Sequence, residues 1–260
     1  MADITKTLGQ DNIKPVPTTK RTMNFFSTFS IWVAAQVVVT TVLTGMLLMP
    51  DMTYLTAISV ILVGTLIGGI PLAMMGNIGT RTGLPTMILT RGAFGHRGSI
   101  LPSAANVIIL IGWSWIQAYL GGLSLNYAVT YLTGYSNINL FVILTESIIV
   151  LIAIYGHSGI MKVENFVAST MLVLSVIVFS FMFVKFDVAN LISMAASSNP
   201  ELTAVTAFDM VVATAFSQVA ICCDFNRFST SERVGISGTY TGYLFASLFD
   251  FGLGATVAGF

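Results

Sequence analysis

The sequence predicts an all-α polytopic membrane protein with about seven transmembrane helices, on three observations. First, of 260 residues 55% are apolar and only 8% are charged, against about 25% charged in soluble domains, and mean hydropathy is +0.86. Second, the apolar residues fall into long runs separated by short polar stretches, and several runs reach the length of about 20 residues that crosses hydrocarbon. Third, the basic residues sort by loop. Lys6, Lys14, Lys20 and Arg21 precede the first run, Arg81, Arg91 and Arg97 follow the second, Lys162 follows the fourth, and Arg227 and Arg233 follow the sixth, while Lys185 alone falls on the other side. This alternation requires every span to be real, and the positive-inside rule places the N-terminus in the cytoplasm.

Residues 1–24 are polar, with Pro15 and Pro17, and read as a cytoplasmic tail; residues 25–260 form the transmembrane domain. The N-terminus lacks a short apolar core with a small-residue cleavage site, so no cleaved leader is expected. The first span runs from Phe26 to Met49 and ends at Pro50-Asp51. Within it Gln36, Thr40 and Thr44 recur every four residues. Threonine hydroxyls serve equally well bonded back to their own helix, so Gln36, with two donors and an acceptor to satisfy, is the stronger site candidate. The second span, Tyr54 to Ile78, carries Gly64, Gly68 and Gly69 for close helix contact and Pro71 as a kink point. A basic, glycine-rich stretch from Arg81 to Gly98 follows.

The third span, Ile100 to Tyr131, is uncharged, and Asn106, Trp113, Gln117, Gly121 and Ser124 repeat at helical spacing along it. At about 100° per residue they form one stripe. Indole and amide one turn apart suit a cavity wall where a flat polar solute stacks and hydrogen-bonds; Asn106 and Ser124 are assigned to bonds with neighbouring helices, and Trp115, on the opposite face, to packing. The fourth span, Leu140 to Tyr155, carries Glu146 near its middle. An intramembrane carboxylate must be protonated, paired or wet, which makes Glu146 a candidate for proton coupling, a structural role being equally open.

Gly156 to Gly159 reads as a connection, Val163 to Val184 as the fifth span, and Lys185 to Glu201 as a polar linker. The sixth span, Leu202 to Cys222, offers Thr214, Phe216, Ser217 and Gln218, with Gln218 the second amide candidate. Asp224 to Arg233 is a charged loop, and the seventh span starts at Val234; Asp209 and Asp250 are expected near span ends, reaching an interface. Adjacent Cys222 and Cys223 make no disulfide framework, and His96 and His157 make no zinc motif. No nucleophile turn is present, so an enzyme and a bound metal or cofactor are not expected, nor is a nucleic-acid polymer as partner.

Three segments carry a family likeness. Arg81-Thr82-Gly83-Leu84-Pro85-Thr86, with Leu89-Thr90-Arg91-Gly92-Ala93-Phe94-Gly95 and Arg97-Gly98-Ser99, precedes the third span; Trp113 and Gln117 lie within it; Asp224-Phe225-Asn226-Arg227-Phe228 follows the sixth. In this order they resemble the nucleobase:cation symporter family of purine, cytosine, hydantoin and allantoin permeases. The resemblance implies a leucine-transporter-type fold of about twelve helices, with two inverted repeats and helices one and six broken near the midplane. Residues of about 25–185 would be the first repeat and about 200–260 the start of the second, so the chain is expected to be part of a longer carrier. It implies substrate contact for Trp113, Gln117, Gln36, Gln218 and Phe216, although the usual aromatic position of the sixth helix falls on Ala215. It further implies cation ligation by backbone at Ala34, Val37 and Val38, and a cytoplasmic motif of Arg81, Gly83, Arg91, Gly95, Asp224 and Arg227, with Arg91 and Arg97 pairing Asp224 and Glu232.

The reading is a multi-pass plasma-membrane permease, coupled to Na⁺ or H⁺, that imports a small planar nucleobase-like or hydantoin-like compound by alternating access. The rival is a seven-helix receptor or sensor without transport, which a cytoplasmic N-terminus disfavours.

Overall fold

The computed structural model of the chain describes residues 13–154 and 156–260, apart from the side chains at positions 156–162, 164, 165 and 168. Half of the expected tail, Lys6 included, and the side chains of His157 and Lys162 therefore lie outside the described residues. The helices are α1 (Phe25–Gln36), α2 (Val39–Leu47), α3 (Tyr54–Thr82), α4 (Thr86–Gly98), α5 (Ile100–Thr133), α6 (Ile138–Ile154), α7 (Gly156–Lys185), α8 (Val188–Ser193), α9 (Ala204–Val219), α10 (Cys222–Asn226) and α11 (Glu232–Gly259). Among the described residues α3 and α5 are each long and apolar enough to cross a membrane, and the bent pair α1–α2 qualifies as one span. The helix α6, the second part of α7 and α9 are shorter apolar helices.

Two compact units form: residues 87–163, and residues 14–86 with 164–260. In the larger unit α11 lies against α1, α2 and α3, and α3 packs on α9. The sequence permits this because α11 lacks side chains where other backbone arrives. A Cβ on Gly238 would sit 2.7 Å from the Thr28 Cβ, and Gly242 and Gly254 face the Phe29 and Val42 carbonyls. On α3, Gly64 and Gly68 meet Val211 and Ala215 of α9, as their sequence spacing suggests. Small residues let helices approach where lipid supplies no hydrophobic drive. α3 continues through Pro71.

Asn24, Thr53, Thr203 and Ser231 each cap a helix by accepting a backbone N–H, satisfying donors that a helix start leaves open. In the smaller unit α5 and α6 form a hairpin. Gly122 of α5 lies so close to α6 that a Cβ would be 2.6 Å from the Val142 Cα. Asn126 closes the turn, its Oδ1 accepting from the Asn137 N–H at 2.8 Å.

Four stretches read as connections are wholly or partly helical. Thr86–Gly98 forms α4, broken at Gly95 with φ 69°; α7 already begins at Gly156; and α8 and α10 are short helices inside the polar linkers. Low local hydropathy marks these residues as outside the apolar core, but a backbone away from hydrocarbon still satisfies its own polar groups most simply as helix.

Replacing Gly242 by Leu should force α11 off α1. We expect a loss of at least about 1–3 kcal/mol, the usual range for overpacking, read as a lower melting temperature in detergent, while Gly112→Ala, where no atom lies within 4 Å of a new Cβ, should leave it unchanged.

Candidate functional site

The first span is broken. α1 ends at Gln36, Val37 and Val38 leave helical geometry (φ −76°, ψ 79° and φ −139°, ψ 151°), and α2 resumes at Val39, bent by 58° from α1. Neither Gly nor Pro marks the place. The Val38 N–H turns back to the Gln36 carbonyl at 2.9 Å and the Thr41 N–H goes to Val38, so the Ala34 and Val37 carbonyls lose their usual helical donors. The Val38 carbonyl itself accepts from Thr41 and Val42, and Thr41 Oγ1 donates to the Gln36 carbonyl at 2.9 Å. Past the end of α9 at Val219, Ala220 and Ile221 lead into the short α10.

At the end of α1, Gln36 is fully buried. The Gln218 Nε2 of α9 donates to the Gln36 Oε1 at 2.6 Å, which brings together two of the expected amides. Gln36 Nε2 and Gln218 Oε1 are buried without a partner among the described residues. Exchanging N and O on both amides would still leave one donor and one acceptor open. Each unmet group costs about 1–3 kcal/mol, so the pair is primed for a ligand that offers a carbonyl beside an N–H. Phe216 does not join them: it is 55% exposed, whereas its neighbour Ala215 is fully buried against Gly68.

Asp250 was expected near a span end, close to an interface, and that expectation is corrected. α11 starts at Glu232, which leaves Asp250 in the body of the helix and 1% exposed. Its Oδ1 has no partner among the described residues.

In the smaller unit the α5 stripe divides by environment. Trp113 is 37% exposed, Gln117 is half-buried, and Ser124 donates to its own helix at the Leu120 carbonyl. Asn106 is buried, and its Oδ1 has no partner among the described residues. On the opposite face, Ser114 Oγ donates to the Glu146 Oε1 at 2.9 Å; both line a groove of about 760 Å³ with Trp115 and Ala118. Glu146 thus has a hydroxyl partner on one oxygen, and its Oε2 has none among the described residues.

The residues expected to form a cytoplasmic motif take on structural tasks. Gly83 ends α3 with φ 71°, where a Cβ would meet Arg21 and the Val16 carbonyl. Arg81 reaches Glu232 at 3.8 Å with both side chains well exposed, a pairing that contributes little in water. The Asp224 Oδ2 accepts the Thr86 N–H at 3.1 Å, and Arg227 is buried, with its Nε on the Asp224 carbonyl and its guanidinium over Phe228. Arg91 and Arg97 are exposed on α4. Cys222 and Cys223 are both buried free thiols.

The residue that sequence reasoning passed over is Asn226. It is fully buried, its Oδ1 accepts from the Trp32 Nε1 at 2.9 Å, its Nδ2 donates to Thr239 Oγ1 at 2.7 Å, and its carbonyl accepts from Thr80 Oγ1 at 3.0 Å. One side chain and its backbone thereby tie α1, α3 and α11 together. Its position inside the Asp224–Phe228 motif was the available signal.

A comparison with known proteins agrees with this geometry. The family described as permeases for cytosine/purines, uracil, thiamine and allantoin matches residues 15–259, and the chain belongs to that family. It is 30% identical over 116 residues to the purine-uracil permease NCS1 of Arabidopsis thaliana, covering 44% of this chain and 19% of that protein. It is 26% identical over 162 residues to the hydantoin permease of Microbacterium maritypicum, covering 62% and 33%. The allantoin permease of Bacillus subtilis (strain 168) is 28% identical over 120 residues, covering 46% and 24%. Among solved structures, the nucleobase-cation-symport-1 family transporter Mhp1, closed with bromovinylhydantoin bound, superposes with a TM-score of 0.85 at 22% identity, over 94% of this chain and 56% of its own. Inward-facing Mhp1 gives 0.82 over 95% and 56%. The chain therefore has the leucine-transporter-type fold of that neighbour and spans about half its length.

Asn226→Ala should orphan the Trp32 indole N–H and the Thr239 hydroxyl. At about 1–3 kcal/mol for each buried unmet group, the variant should melt markedly lower and yield less folded protein on size exclusion.

Proposed function

We propose that the protein is a cation-coupled permease that imports a small planar nucleobase-like or hydantoin- or allantoin-like compound by alternating access. The observation that carries this reading is the Gln36–Gln218 pair, with one amide donor and one amide acceptor buried and unmet where the first span breaks. A cyclic imide or lactam edge offers the complementary carbonyl and N–H within one ring. Sites that hydrogen-bond a substrate in this way reject analogues lacking the group by large factors, because their own polar groups are then left unpaired. The family match favours a permease over a receptor.

In the same reading Trp113 offers its partly exposed indole face for stacking, and Gln117, one turn on, offers a further amide. Phe216 stays a candidate only through movement of α9. The Ala34 and Val37 carbonyls, freed of helical donors, are proposed as metal-cation ligands; the Val38 carbonyl is already committed to two N–H groups. Glu146, with one hydroxyl partner, is a candidate proton carrier in the smaller unit. The protein is placed in the plasma membrane with its N-terminus and residues 1–24 in the cytoplasm. Residues of about 25–185 are read as the first repeat and about 200–260 as the start of the second, which would rock against each other around the bound solute.

Radiolabelled uptake by the full-length gene product tests the reading. Gln36→Leu should lower uptake about tenfold or more, since about 1.4 kcal/mol corresponds to a factor of ten, and an N-methylated hydantoin should compete poorly with wild type. Trp113→Ala and Gln117→Ala should each reduce uptake at equal surface expression; unchanged uptake in both would remove the stacking assignment.

A further inference from the structure

We propose that the elbow between α4 and α5 is a binding site for an anionic phospholipid, with Arg91 holding its phosphate headgroup. The site lies wholly in the smaller unit and needs only that α5 crosses a membrane, so it stands apart from the permease reading. Gly95 makes the elbow. Its φ of 69° and ψ of 177° break α4 in a conformation that glycine enters freely, and the chain then runs into α5 at Ile100. At the elbow lies a groove of about 370 Å³ whose lining includes Arg91, His96, Ser99, Ser103, Ala104 and Val107.

The length of α5 sets the depth of this groove. Its 34 residues, Ile100–Thr133, extend about 51 Å at about 1.5 Å per residue, well beyond a hydrocarbon thickness of about 30 Å. Toward the far end Tyr127 and Tyr131 are strongly exposed, and amphipathic rings of this kind favour a membrane interface. One hydrocarbon thickness, about 20 residues, back from Tyr127 is Val107. Val107 and Ala104 therefore stand at the edge of the hydrocarbon. Ser103 and Ser99 lie beyond it at headgroup depth, where the Arg91 and His96 side chains complete the groove wall.

Charge selects the ligand. Among the described residues neither Arg91 nor Arg97 forms an ion pair; the carboxylates expected to meet them, Asp224 and Glu232, take the Thr86 N–H and Arg81 instead. Between positions 87 and 163 the one acidic residue is Glu146, midway along α6 and bonded to Ser114. The two groove hydroxyls are already spent as donors, Ser99 Oγ to the His96 carbonyl at 3.0 Å and Ser103 Oγ to the Ser99 carbonyl at 2.8 Å. The Arg91 guanidinium is then the charged donor that the groove leaves open, and its planar fork matches phosphate oxygens. An acyl chain continues along the apolar wall at Ala104 and Val107, and exposed Phe94, Ile100 and Leu101 add apolar contact beside the basic residues, the composition of an interfacial helix. A free anion would satisfy the guanidinium and leave the apolar wall uncovered. A phospholipid satisfies both.

The test is native mass spectrometry of the purified full-length protein with phosphatidylglycerol and phosphatidylcholine of identical acyl chains. Wild type should retain phosphatidylglycerol in preference. Arg91→Gln should weaken that retention about fivefold, the share of one arginine at an anionic surface, whereas Arg97→Gln, outside the groove lining, should change it by much less. Ala104→Trp, which fills the apolar wall with Arg91 in place, should also lower retention, and it carries the test if Arg91→Gln fails to fold. Inorganic phosphate in excess should leave the lipid bound. Equal retention of the two lipids by wild type would overturn the proposal, as would equal loss in the two arginine variants, the mark of a diffuse basic surface. Displacement of the lipid by inorganic phosphate, the mark of a site for the free anion, would overturn it as well, and so would unchanged retention in Ala104→Trp.

Discussion

The close approach of α11 to α1 and α2 is the constraint on which the larger unit depends. Gly238, Gly242 and Gly254 stand where Thr28, Phe29 and Val42 arrive, and Gly45 of α2 returns the favour toward the Phe251 backbone. Helices this close are held by dispersion and by polar bonds rather than by expulsion of water, since lipid is as apolar as leucine. Asn226 supplies the polar part, its side chain and backbone carbonyl together tying α1, α3 and α11 at Trp32, Thr80 and Thr239. With α1 clamped there and α2 clamped against α11 by Gly45 and Gly254, the strain-free place for the chain to change direction is the two residues between them.

The break then creates chemistry that an unbroken helix lacks. It frees carbonyls at Ala34 and Val37, turns the Val38 N–H back to the Gln36 carbonyl, and ends α1 at Gln36 so that its amide meets Gln218. Polar groups buried without partners are rare because each is costly. In the larger unit Gln36, Gln218 and Asp250 all belong to this class. Thr65, Asn77, Tyr243 and Ser247 of the same unit also leave a buried polar atom without a partner among the described residues, but only the Gln36–Gln218 pair leaves an amide donor and an amide acceptor side by side.

Much of the fold was legible in the residues. The seven expected spans correspond to α1–α2, α3, α5, α6, α7, α9 and α11, and the glycines of Tyr54–Ile78 do meet α9. The family motifs were legible too, although Asn226 was read as part of a pattern rather than as its hub. Asp250 was misplaced because the start of its helix was set two residues late and because nothing local tells a carboxylate whether a backbone will cover it. The amide of Phe216's neighbour Gln218 was found, while the exposure of Phe216 itself was not, since the face α9 buries is set by Gly64 and Gly68 on another helix.

By itself the sequence determined the class, the order of the helices and the family, because hydropathy, helical period and motif spacing are properties of neighbouring residues. Only the tertiary structure decided where α1 breaks, that Gln36 and Gln218 meet, and that Asp250 lies buried in the body of α11. Those outcomes depend on whether distant backbone arrives to satisfy or abandon a polar group, and no short stretch of chain contains that information.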